Sequence, residues 1–131
     1  MTDTLTLESR TPNWIDALCQ EIDTLKFTSA FDCFSADAVL SFGVKQISGA
    51  PAMQAFFVQI DAPLDIDHRI LEVWAGSTTT YVRGEADMAK KESPQIRVVA
   101  PFMWLFRREH ESGPITHWYV TAGPLATDKV L

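Results

Sequence analysis

The feature that most constrains this chain is a change of hydrophobic period near residue 65. Before it, apolar residues recur at spacings of three and four; after it, they follow the two-residue rhythm of strands. Thr11-Pro12 supplies a cap candidate with proline at the first helical position. Trp14, Ile15, Leu18, Cys19, Ile22 and Leu25 then predict a helix from about Pro12 to Leu25. Phe27, Ala30, Phe31 and Phe34 predict a shorter second helix, followed by a short strand over Ala38 to Phe42 and a turn over Gly43 to Gln46. Gly49-Ala50-Pro51 opens a third helix, Ala52 to Ile60, which Ala62-Pro63 closes. From His68 onward four strands are expected, about His68 to Ala75, Thr79 to Ala89, Ile96 to Arg108 and Ile115 to Ala122, joined by hairpin connections rich in Gly, Pro and Ser. Helices first and antiparallel strands second is an α+β layout: one curved antiparallel sheet with about three amino-terminal helices packed on its concave face.

Composition narrows the function classes. At 131 residues, 47% apolar and with fourteen aromatics, the chain supports one core, expected over residues 11–125 between a flexible tail at 1–10 and a second tail at 126–131. A net charge of -6 with no basic run repels a phosphate backbone, so no nucleic-acid partner is expected. The polar, acidic start lacks the basic and apolar regions of a secretion signal, and apolar runs such as Val98 to Phe106 fall short of the roughly 20 residues that span a bilayer. A cytoplasmic protein without a membrane partner is expected, with Cys19 and Cys33 as buried thiols. No two His or Cys share a ligand spacing, and no GxGxxG, GxxxxGKS or GxSxG string occurs. Neither a metal nor a cofactor is expected, which leaves cofactor-free proton transfer as the chemistry to consider.

The order of elements resembles the nuclear transport factor 2-like superfamily, its SnoaL-like branch above all. The residues that carry the resemblance are Glu21-Ile22-Asp23 ending the first helix, Phe34-Ser35-Ala36-Asp37-Ala38-Val39-Leu40 entering the first strand and Ile47-Ser48-Gly49 before the third helix. His68 opening a strand and Val82-Arg83-Gly84 in mid-strand complete it. The resemblance implies a cone whose interior holds a small molecule, in a superfamily of isomerases, dehydratases, epoxide hydrolases, cyclases and non-catalytic members. It also implies a homodimer. Two departures stand out. Cyclase-like members end their last strand in an aspartate, where this chain has Thr121, and the isomerase-like carboxylate position falls on Phe42-Gly43-Val44-Lys45.

Strict alternation through unbroken hairpins sorts the strands into two faces. One face, with Leu71, Val73, Val82, Gly84, Ala86, Val99, Pro101, Met103, Leu105, Ile115, His117, Tyr119 and Thr121, is expected to be concave and to line the ligand site. The other gathers Trp74, Tyr81, Phe102, Trp104, Phe106 and Trp118 with several charges, and is expected to pair two copies through Trp104, Trp118, Phe102 and Tyr81. His117 and Tyr119 are acid-base candidates, or they satisfy one another at the pocket mouth. His68 lies outside by alternation, whereas the resemblance turns it inward. Asp23 is either solvated surface or the carboxylate partner of a histidine. Trp14, Phe56, Gly84, Met103 and Thr121 are candidate ligand contacts, with plain core as the other reading of Trp14 and Phe56. The reaction expected is isomerisation, cyclisation or dehydration of a small apolar metabolite; the other reading is a non-catalytic binding or interaction module.

Overall fold

A computed structural model describes residues 3–122. Its elements in order are β1 (Thr6–Leu7), α1 (Asn13–Thr24), a 3₁₀ turn (Ala30–Cys33), β2 (Phe34–Phe42), β3 (Lys45–Ser48), α2 (Ala50–Asp61), β4 (Leu64–Ala75), β5 (Thr79–Lys90), β6 (Val98–Arg108) and β7 (Ile115–Ala122). The strands form one seven-stranded sheet in the order β1-β4-β5-β6-β7-β2-β3, and the helices pack on one face of it. The sheet is mixed rather than wholly antiparallel, because β2 runs parallel to β7. No helix among the described residues is long and apolar enough to cross a membrane.

Two of the three expected helices form. The second shrinks to the 3₁₀ turn, since Glu21 Oε2 accepts hydrogen bonds from the Thr28 hydroxyl and the Ser29 and Ala30 amides and so pins the segment where a longer helix would begin. Burial would raise the Glu21 pKa, but these hydrogen bonds prevail and hold it below the ordinary range. The expected turn at Gly43 to Gln46 is a two-residue hairpin: Phe42 pairs with Lys45, and Gly43 takes the positive φ of 62° that the turn requires. The amino-terminal segment, expected as a free tail, adds β1 to the edge of β4, and Asp3 accepts hydrogen bonds from Ser77 and Thr78 in the β4–β5 turn. The expected tail at 126–131 lies outside the described residues. Both cysteines are free thiols; Cys19 is buried and Cys33 half-buried.

Register overturns the expected faces. Val82 pairs with Trp104, Gly84 with Phe102 and Ala86 with Ala100, so the small residues of β5 face the aromatics of β6 on the inner side. Phe102, Trp104, Phe106 and Trp118 are core, with Trp118 and Phe106 fully buried, and Trp104 meets Trp118 edge to face at 5.3 Å. Burying each such ring removes roughly 150–250 Å² from water, more than an aliphatic side chain offers, which favours the aromatic face as core. The surface expected to pair two copies is therefore not available: three of its four residues, Phe102, Trp104 and Trp118, are interior, and only Tyr81 stays outside. Met103, His117, Tyr119 and Thr121 lie on the outer face instead.

A bulge at Leu71 corrects the other end. Ile70 pairs with Gly84 and Glu72 with Arg83, so Leu71 is an extra residue and the alternation inverts there. Ile66, His68 and Ile70 thus share the inner face with Val73, and Leu71 turns to solvent.

Gly84 leaves no ligand space, because the ring of Phe102 occupies it. A Cβ built there would stand 2.5 Å from both Phe102 Cζ and the Arg69 carbonyl oxygen. Gly84→Ala should therefore cost about 1–3 kcal/mol, read as a lower urea midpoint with unchanged slope. An unchanged midpoint would contradict the packing of Phe102 over Gly84.

Candidate active site

Where β4 starts and α2 ends, the aromatic core stops short of closing. A cavity of about 100 Å³ remains, walled by Phe57 of α2, Ile66 and His68 of β4, Ala86 and Met88 of β5, Phe102 and Trp104 of β6 and Val120 of β7. Its wall is apolar but for one group, His68. The imidazole meets Phe102 edge-on at 5.3 Å between centroids and lies 5.9 Å from Trp104.

Asp23, in the last turns of α1, reaches this histidine from 45 residues away. Asp23 Oδ1 lies 2.5 Å from His68 Nδ1, and Oδ2 accepts the His68 backbone N–H at 3.0 Å. One carboxylate therefore fixes both the strand and the ring it carries. Their side chains are 15% and 12% exposed, so the contact is largely shielded from water. A carboxylate can only accept, so Nδ1 donates, and in the neutral ring Nε2 then keeps its lone pair. Nε2 is then the nitrogen left to act on a molecule in the cavity.

The surroundings hold a third titratable group that the sequence reading missed. Asp61 is the last residue of α2, one helical turn beyond the cavity-lining Phe57, and is 6% exposed. Burial pushes its pKa up to about 6, His68 opposes the rise and the charge of Asp23 adds to it. A carboxyl that keeps its proton to near pH 6 can donate hydrogen bonds where an ordinary aspartate cannot. Lying between Ile60 and Ala62-Pro63, it reads in sequence as a helix end, and only the packing of α2 against β4 brings it beside the histidine.

The other expected site residues disperse. Phe56 is core, packed on Phe42 at 5.2 Å, and its neighbour Phe57 lines the cavity instead. Trp14 lies far along the sheet, edge-on to Phe106. His117 and Tyr119 stack on each other at 5.8 Å on the outer face, away from the His68 cavity, and His117 Nδ1 lies 3.0 Å from the Thr116 hydroxyl oxygen. Of the four catalytic candidates, Asp23 and His68 meet at the cavity, and His117 and Tyr119 meet on the outer face.

No protein-family model and no curated protein matches the chain. Solved structures do. A presumed SnoaL-like polyketide cyclase from Jannaschia shares 14% identity over 93% of this chain and 95% of its own, with a TM-score of 0.72. A protein with a ketosteroid isomerase-like fold from Catenulispora acidiphila, solved with trimethylamine, shares 16% over 86% of each chain at 0.69. An LEH-like epoxide hydrolase of M. tuberculosis shares 15% over 89% and 85% at 0.68. At such identities the likeness is one of fold.

Because Asp61 holds its proton more tightly folded than unfolded, its contribution to stability is full below about pH 4 and is lost as pH rises through about 6. Asp61→Asn removes this dependence. Relative to wild type, the variant should gain on the order of 2–3 kcal/mol between pH 4 and pH 7.5, measured by urea unfolding at both pH values. An equal difference at the two would contradict the buried, protonated carboxyl.

Proposed function

We propose that this chain, which has the nuclear transport factor 2-like fold, is a cofactor-independent proton-transfer enzyme of the isomerase, cyclase or dehydratase kind. The observation that carries the reading is the Asp23–His68 contact at the wall of an apolar cavity. His68 Nε2 takes a proton from carbon beside a substrate carbonyl, and the C–H electron pair moves into the enolate. Asp23 holds the ring in place and stabilises the imidazolium that results. The proton returned to product, or the one that assists a leaving group, comes from the imidazolium of His68. The cavity is smaller than the 150 Å³ void known to take benzene, so the reacting part of the substrate is compact and apolar.

Proton abstraction is measurable without the natural substrate. In D₂O, wild type should speed α-carbon exchange of cyclopentanone, and His68→Ala should lose at least about 100-fold of that rate. Asp23→Asn should also lose most of it, with the fold retained by circular dichroism. Exchange no faster than in buffer, or unaffected by His68→Ala, favours the other reading, a binding module that does no chemistry.

We also propose that the expected homodimer uses the outer sheet face. Leu71, Val99, Met103 and Tyr119 expose 41–49% of their surface there, apolar positions interleaved with charged residues of β5 such as Arg83, which pairs with Glu72. Met103→Glu should convert a dimer to monomer in sedimentation at micromolar concentration. Wild type sedimenting as monomer would contradict the interface.

A further inference from the structure

At the end of the sheet away from the His68 cavity, the β4–β5 turn, the β6–β7 turn and the start of α1 meet around a second cleft of about 310 Å³, which shares no lining residue with the first. Arg108, the last residue of β6, is its cation. The guanidinium carbon lies 5.1 Å from the ring centre of Trp14, and Nε donates to the Gly113 carbonyl at 3.0 Å. Arg69, Arg83 and Arg97 pair with carboxylates; among the described residues Arg10, Arg107 and Arg108 do not, and of these three only Arg108 is half-buried. A half-buried guanidinium stacked on tryptophan with its terminal nitrogens unassigned is a group prepared for an oxyanion.

Two further features point the same way. Thr80, 4% exposed, lines the cleft and carries a hydroxyl that can donate a hydrogen bond. The first turn of α1, at Pro12 and Trp14, borders the cleft with proline at the cap position and no side chain on its amides. The rim has the opposite sign. Glu8 and Glu111 line it, both exposed, and neither forms an ion pair among the described residues. A simple anion would meet these carboxylates and the overall charge of -6, and a simple cation would meet Arg108.

We propose that this cleft binds a small zwitterion, its carboxylate on Arg108 and Thr80 and its ammonium between Glu8 and Glu111, the pattern of a free amino acid. Such a ligand satisfies both signs at once and gives Arg108 the partner that the described residues do not provide. The site stands apart from the proton-transfer reading, since neither uses the other's residues.

The test titrates the full ¹⁵N-labelled chain with glycine, acetate and methylammonium, following the Trp14 indole and Arg108 Nε signals. Glycine should shift both saturably, and acetate and methylammonium should each bind at least about tenfold more weakly. Arg108→Gln should abolish the glycine response. The isosteric Thr80→Val, whose spectrum reports on folding directly, should weaken it about threefold or more. No saturable shift with glycine, acetate as strong as glycine, or an unchanged response in either variant would overturn the site.

Discussion

The double contact of Asp23 with the ring and the backbone of His68 is the interaction on which the functional geometry depends. It ties the end of α1 to the first half of β4 and sets the ring against Phe102 and Trp104. Because the carboxylate accepts from Nδ1 and from the strand amide together, the ring cannot turn over without losing one strong hydrogen bond. The strand cannot slip without losing both. A one-residue slip of β4 would also carry Ile66 and Ile70 into solvent.

Other buried polar groups are handled in different ways. Glu21 receives three donors on Oε2, which makes it a structural fastener for the 3₁₀ turn, while its Oε1 has no partner among the described residues. Asp61 lacks such donors among the described residues and responds by holding its proton. The two carboxyls thus shift in opposite directions because one is hydrogen-bonded and the other mainly desolvated. The aromatic core around them is close to seamless: Trp118 stacks on Phe34 and Phe106, and Phe57 bridges that stack to the cavity wall. The small volume left beside His68 is what the rings do not fill.

Much of this was legible in sequence and some was not, for identifiable reasons. The switch of period near residue 65 marked the helices and the long strands, whereas His68 was turned inward only by the family resemblance, against alternation, and Asp23 stood as surface or as a histidine's carboxylate partner. What alternation could not supply was the parity between strands. The segment between β5 and β6 sets Val82 opposite Trp104 rather than Met103, and that single choice moves four large aromatics from an imagined surface to the core. The bulge at Leu71 has no sequence mark beyond an apolar residue out of phase, yet it lets His68 and Val73 point the same way. Asp61 was invisible for a different reason: a helix-ending aspartate is ordinary until tertiary packing buries it.

The central claim is that Asp23 holds His68 with the proton on Nδ1 and the lone pair of Nε2 toward the cavity. Ring-nitrogen NMR of ¹⁵N-histidine-labelled protein reads this directly. The account predicts, at a pH where the ring is neutral, one His68 tautomer with Nδ1 protonated and Nε2 bare, its Nδ1 proton far downfield and lost in Asp23→Asn. A proton on Nε2, or a ring averaging between tautomers as a free imidazole does, would contradict it.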